Sequence, residues 1–316
     1  MKTPPIENIF PQEPNKTLEA ILKKLAMGIV ELVSFGTHLI HWDFQIQRGK
    51  DTNIPTIFLR NCIELADAIA ILIEKSSIDP AKIEFRALME NSLALQYMID
   101  ENESIRAHCF LVCKAIKDIK YYKQFVPTEE TSKNFVAKIK KQEPHFDLSS
   151  HANLDEILFV IQAKEGQLKE PIYDSVYEEF VKTCKEKKTN EPNWYALYGG
   201  PNNFEELCKK LKYSIIYEFA YRKYSQNVHG MDVMKGFVAT GKGTADMIQI
   251  RDFEDCKEVF YYTVNIVLDS FTKFITKRLP NKTEEYKKWH NNYVTFFDKL
   301  NEETQFNYNK YHNFKG

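Results

Sequence analysis

The chain has 316 residues and a mass of 37.1 kDa, enough for one large domain or two small ones. Hydrophobic residues make up 43% and aromatic residues 13%, so a substantial core is available, and only eleven glycines and twelve prolines favour long helices over many tight turns. A net charge of −1 excludes a globally basic nucleic-acid binder; any anion-binding groove has to be local.

The cysteines, at 62, 109, 113, 184, 208 and 256, form no Cys-x-x-Cys pair and no Cys/His cluster with metal-ligand spacing. They read as free thiols in a reducing compartment, with no metal and no cofactor expected. The opening residues, MKTPPIENIFPQEPNKT, are polar and proline-broken, unlike a secretory signal, and no window has the apolar length needed to span a membrane. The expectation is a soluble, cytoplasmic protein with no membrane partner.

Residues 1–16 read as an extended arm. From Thr17, Leu18, Leu22, Leu25, Ile29, Leu32 and Leu39 recur at helical steps and predict a long helix to about Trp42. A polar loop over 47–53 precedes a second helix near Pro55–Ser76. Asp79-Pro80 reads as a helix start, with Asp as cap and Pro at the first helical position. This third helix, to about Ile99, is apolar nearly all round (Ile83, Phe85, Leu88, Met89, Leu93, Leu95, Met98), which is the pattern of a central helix. A fourth runs near Ser104–Phe125. Residues 126–193 are lysine-rich and broken by Pro127, Pro144, Pro171 and Pro192, with shorter helical patterns near 154–162 and 175–186; they read as an insertion or peripheral subdomain. Asn203-Phe204-Glu205-Glu206 fits a capping box and opens a helix predicted to run unbroken to His229-Gly230. Residues 237–251, with Gly241-Lys242-Gly243-Thr244, form a loop or small hairpin. Two helices follow, near 253–276 and 282–302, and a polar tail occupies 304–316. The fold class is all-α: a helical bundle whose halves, 17–125 and 194–303, flank an inserted irregular helical segment.

The predicted helix from Phe204 carries the candidate site. Phe204, Leu207, Leu211, Ile215, Glu218, Arg222, Ser225 and His229 follow one another by three or four residues, a single stripe on an unbroken helix. The first four suit a packed seam. The last four are an acid, a guanidinium, a hydroxyl and an imidazole, able to hold an anion and move protons. The plainer reading is an i,i+4 ion pair of Glu218 with Arg222 and a His229 that caps the helix. Tyr213, Tyr217, Tyr221 and Tyr224 lie on the other face, where packing is a stronger reading than base stacking.

A second constellation is Arg86-x-x-x-Glu90 on the third helix. Its apolar surroundings predict a buried pair, either a core network fixing helix register or a support for the His229 site, and Arg106 on the next helix fits either role. His38 and His41, near Asp43, lack the further ligands that a metal needs.

Phe85-Arg86-x-x-x-Glu90, Arg106 and Tyr221-x-x-x-Ser225-x-x-x-His229-Gly230 together resemble the prokaryotic domain-of-unknown-function family 5677, across roughly 53–229 apart from the irregular middle segment. That resemblance implies an α-helical protein and no particular activity. Arg222 and His229, with six residues between them at a helix end, also resemble the signature of the HEPN superfamily of helical nucleases and toxins. This second resemblance implies a metal-independent endoribonuclease of a bacterial defence or toxin type, acting on RNA as a homodimer. In it Arg222 binds the scissile phosphate, His229 acts at the ribose 2′-oxygen and Ser225 supports them. The alternative expectation is a non-catalytic binding or scaffold module whose polar seam takes a partner helix or a small ligand.

Overall fold

A computed structural model describes residues 3–6, 9–10, 16–46, 53–228, 236–239 and 245–305. The described residues are all-α apart from one short ribbon, and the chain divides into two compact units, 1–101 with 207–316 and 102–206.

In the first unit, α1 (Lys16–Ile46), α2 (Ile54–Glu74), α3 (Ile78–Asp100) and α11 (Cys256–Arg278) pack on one another, and α12 (Thr283–Glu303) lies against α1 and α11. All six apolar positions read as the α1 stripe are buried. On α3 the side chains from Ser92 to Ile99 are buried without a break, as a central helix requires, whereas Ile83 is exposed. α3 starts one residue before Asp79, and the Asp79 carboxylate pairs with Lys82 instead of capping the helix. The α1–α2 crossing is tight: a Cβ at Gly36 would lie 2.5 Å from Ile63 Cδ1, so glycine is needed for the two backbones to approach. Trp289 of α12 stacks on Phe35 of α1 at 3.8 Å and 10° and donates its indole N–H to Glu31.

One charged pair lies inside this apolar frame. The Arg278 guanidinium, at the end of α11, donates through Nε to Asp43 Oδ1 at 3.1 Å and through Nη2 to Oδ2 at 2.8 Å. Their side chains are 2% and 0% exposed. Thr56 of α2 also donates its hydroxyl to Asp43, so one carboxylate ties three helices together.

In the second unit, α4 (Glu103–Lys123) packs against α6 (Leu154–Leu168), α7 (Asp174–Lys187) and the short turn Trp194–Gly199; α5 (Glu130–Lys140) precedes α6. Cys109, Val112, Val176, Phe180 and Leu197 form its core, and Val126, Ile157 and Ile161 a smaller one. The sequence placed the inserted segment at 126–193; the compact unit starts earlier, at Asn102, and takes in α4. α6 is capped by the Asn153 side chain, which accepts from the amides of Asp155 and Glu156.

The helix expected from Phe204 to His229 is broken, which corrects the unbroken stripe. α8 (Phe204–Lys210) opens as foreseen, with Asn203 Oδ1 accepting from the Glu206 amide at 2.9 Å. It then closes on Lys212, which adopts a left-handed backbone at φ 68°. The Tyr213 amide bonds Cys208 O and the Lys212 amide bonds Lys209 O, the two hydrogen bonds of a Schellman motif. A short turn α9 (Ser214–Ile216), a π-helical turn Tyr217–Arg222 and α10 (Lys223–Val228) follow. The 237–251 segment holds β1 (Phe237–Ala239) antiparallel to β2 (Ala245–Met247), with Val238 opposite Asp246, the small hairpin that had been one of two expectations.

α10 is anchored by charge. Lys223 reaches Glu258 at 3.1 Å and Asp255 at 3.5 Å; buried Lys82 reaches the same Asp255 at 2.8 Å; and the fully buried Tyr224 donates to Glu258 at 2.6 Å. Burial opposes ionisation of Asp255, but the hydrogen bond and charge of Lys82, then Lys223, outweigh it and hold the carboxyl below its ordinary range. Burial likewise opposes the Lys82 ammonium, and the Asp255 hydrogen bond and the charges of Asp255 and Asp79 raise it above the ordinary lysine value.

Two outcomes test these contacts. Asp43→Ala leaves the Arg278 charge buried and unpaired and is expected to cost about 3–5 kcal/mol in urea unfolding, more than Asp43→Leu combined with Arg278→Met, which removes both charges. The second concerns pH. A depressed Asp255 contributes stability above the ordinary carboxylate pKa of about 4 and loses it as pH falls; a raised Lys82 contributes below about 10.4 and loses it as pH rises. The stability gap between wild type and Asp255→Asn, which tolerates the left-handed backbone at this position, should be flat between those limits and shrink on either side. A gap that persists unchanged at pH 2.5 rules the coupling out.

Candidate functional site

The π-helical turn and α10 lie against α3, and this contact sorts the candidate residues into two faces. The inner face is the tyrosine face. Ala220 and Tyr224 are fully buried, and Tyr224 meets Phe85 of α3 edge-on at 5.9 Å. Tyr213 directs its one hydroxyl proton between Asp269 at 2.8 Å and Gln96 at 3.1 Å, the carboxylate being nearer; Tyr221 donates to Glu90 at 2.5 Å and stacks on Tyr217 at 5.4 Å and 17°. Packing with hydroxyls on polar partners, the stronger sequence reading of these tyrosines, is what the geometry has.

The outer face is the expected seam. Ile215, read as part of its apolar half, is 74% exposed, and Phe219 beside it 66%. That corrects the seam: the left-handed break at Lys212, which lies between the two, turns Ile215 away from the interior that Leu207 occupies. Glu218 and Arg222 form an exposed i,i+4 ion pair at 2.8 Å, with Arg222 63% exposed, as the plainer sequence reading had it. Ser225 is half-buried one turn later. His229 and Gly230 lie outside the described residues, as do Gly241-Lys242-Gly243-Thr244.

Arg86 and Glu90 do meet this segment, through Tyr221. The Arg86 guanidinium lies 4.4 Å from the Tyr221 ring centroid, while the Glu90 carboxylate accepts the phenol's hydrogen bond. Glu90 is exposed, so the expectation of a buried pair is corrected: residues 86 and 90 lie on the side of α3 that faces the π turn, at the margin of the apolar core. Arg86 is half-buried, and its Nε is buried without a hydrogen-bond partner among the described residues. Burial of Tyr221, with the Glu90 hydrogen bond and charge, pushes its phenol up to about 12 against the opposing effect of Arg86, so it stays protonated and donates at neutral pH. Arg106 belongs to the 102–206 unit, where its charge opposes the rise of the buried Cys109 thiol.

Among the described residues no group of three or more His, Cys, Asp or Glu converges to hold a metal, and His41 instead bonds Gln45 at 2.9 Å. No helix described is long and apolar enough to cross a membrane. The sequence reading missed Asp255, Glu258 and Lys82. The signal available for them was weak: Asp255 and Glu258 frame the start of a predicted helix, and Lys82 is a charge within an apolar pattern.

What the turn can do chemically follows from its charges. Residues 207–228 carry Lys209, Lys210, Lys212, Arg222 and Lys223 against one carboxylate, Glu218, a local basic segment in a chain of near-zero net charge. Arg222 presents an exposed guanidinium paired with Glu218, on the same turn as the exposed Phe219.

Comparison with known proteins gives one match. No curated protein and no solved structure matches the chain. Residues 52–243 match the profile of the Family of unknown function (DUF5677), a span from the start of α2 to the hairpin that includes Arg86, Glu90, Tyr221, Arg222, Ser225 and His229. The chain belongs to that family.

Proposed function

We propose that the π turn and the residues after it form the cleavage site of a HEPN-like, metal-independent endoribonuclease of a bacterial defence or toxin type, acting as a homodimer. The observation that carries the reading is the exposed Arg222 guanidinium, held among the described residues by Glu218, one turn before Ser225 and seven residues before His229 in sequence. A guanidinium in water that is pre-oriented by one carboxylate can exchange it for a phosphate, which accepts two parallel N–H bonds in the same fork.

The chemistry is transesterification. The ribose 2′-hydroxyl gives up its proton, the 2′-oxygen attacks the neighbouring phosphorus, and the 5′-oxygen leaves with a proton, so the products are a 2′,3′-cyclic phosphate and a 5′-hydroxyl end. An imidazole such as that of His229 suits one of these two proton transfers, and Arg222 stabilises the charge building on the phosphate. Ser225 supports His229. Tyr221, locked between Arg86 and Glu90, holds the turn against α3.

A second reading rests on Ile215 and Phe219. Both are exposed on the same segment, one helical turn apart, as an anchor pair for a partner helix would be. On that reading the segment binds without cutting.

Purified full-length protein is expected to cleave a mixed-sequence single-stranded RNA in excess EDTA. Arg222→Ala and His229→Ala should each slow cleavage by about 10²-fold or more with unchanged circular dichroism and melting temperature. Intact RNA under all conditions, or a His229→Ala variant that cuts at the wild-type rate, removes the nuclease reading. Sedimentation that shows a monomer at high concentration removes the homodimer.

A further inference from the structure

A cavity of about 220 Å³ opens within the 102–206 unit, between α4, α7 and the 190–194 loop. Its apolar walls come from Phe110, Cys113 and Ile116 on α4, Phe180 on α7, and Pro192 and Trp194 on the loop. Phe110 and Trp194 meet edge to face at 6.1 Å, which sets two ring planes at 89° around the space. At this size the cavity lies below the roughly 300 Å³ where pockets for drug-sized ligands begin, so it suits one ring system and not an extended chain.

The polar groups at its edge are unevenly satisfied. Lys114 is committed to Asp118 at 2.5 Å, and Glu191 to Lys120. Hydrogen bonding and charge from Lys120, with a further charge contribution from Lys117, hold the Glu191 carboxyl below its ordinary range, so it stays ionised and paired. Asn193 gives its amide N–H to Asn202 O. Lys117, which also lines the cavity, has no ion pair among the described residues. Lys114, Lys117 and the adjacent Lys120 against Asp118 and Glu191 therefore leave an excess of one positive charge beside this aromatic cavity. Burial pushes the Cys113 thiol up to about 12, so this wall is uncharged at neutral pH.

We propose that this cavity binds a small planar aromatic anion, its ring seated in the angle that the perpendicular Phe110 and Trp194 planes enclose, against the face of one and the edge of the other, and its carboxylate or equivalent oxyanion on Lys117. The site is separate from the cleavage reading above and does not depend on it. A ring buried against aromatic walls supplies the apolar contact, and the charge-assisted hydrogen bond sets which end of the ligand faces water. A dianion or a non-planar ring fits less well, since one ammonium without an ion pair lines the cavity and its aromatic walls offer a flat ring face to stack on.

The test is calorimetric titration of the full chain with three probes: indole-3-carboxylate, its neutral amide, and cyclohexanecarboxylate. Indole-3-carboxylate is expected to bind at least tenfold more tightly than either of the others. Lys117→Met should remove the preference over the amide, and Phe110→Ala should abolish binding while unfolding with unchanged cooperativity. Lys117 is exposed, so its variant folds whatever Phe110 does. Absence of heat with all three probes, equal affinity for the amide, or an unaltered preference in Lys117→Met overturns the assignment.

Discussion

The first unit depends on one desolvated carboxylate. Asp43 accepts from Arg278 on α11 and from Thr56 on α2 while itself belonging to α1, and none of the three helices can slide without breaking a bond to it. Burying both charges carries a desolvation cost that the fork geometry and the threonine hydroxyl offset. Its consequence reaches the far end of α11. Arg278 is the last residue of that helix, and Glu258 lies in its first turn, with Asp255 just before it. Fixing the register of α11 against α1 and α2 therefore fixes where these two carboxylates stand. They in turn hold Lys223 and Tyr224, and so α10.

Tyrosine does the rest of the holding. Tyr213, Tyr221 and Tyr224 each bury a ring against α3 or α11 and end on a carboxylate, Asp269, Glu90 and Glu258 in turn. Burial raises all three phenols, so each stays a donor, and a hydrogen bond to a charged acceptor is worth more than a neutral one. The arrangement leaves the opposite side of the same turn free of structural duty. Glu218, Phe219 and Arg222 are exposed because the tyrosines already anchor the segment.

Where the sequence was readable, periodicity was the reason. Leu18 to Leu39 and Ile83 to Ile99 mark a one-sided and a central helix by apolar spacing alone, and of the apolar positions in those two patterns only Ile83 is exposed. Three features left no such mark. Lys212 ends a helix in a left-handed conformation usually taken by glycine, so nothing in Lys-Lys-Leu-Lys-Tyr announces the stop, and a stripe drawn through it put Ile215 inside. Asp43 and Arg278 are 235 residues apart, and a charge near a helix end reads as solvated until its partner is known. The start of the second unit was equally hidden: the apolar pattern of α4 shows that it packs on something and not on what. Within the candidate site, the ion pair of Glu218 with Arg222 was legible from spacing of four, whereas the meeting of Arg86 and Glu90 with Tyr221 needed the fold.

The family match adds a division of labour to this picture. The matched span, 52–243, contains every residue of the proposed site and the α3 surface it rests on. Asp43, Asp255, Glu258 and Arg278 all lie outside that span. The residues that face solvent on the π turn and the Arg86 and Glu90 side chains that hold Tyr221 thus come from within the matched span, while Asp255 and Glu258, which hold α10, come from beyond it. A change in α11 at Glu258 acts on Arg222 only through Tyr224 and Lys223, by loosening the turn and not by altering its chemistry. Such a change would spread Arg222 over more orientations, so it would weaken binding of a phosphate without removing the guanidinium that binds it.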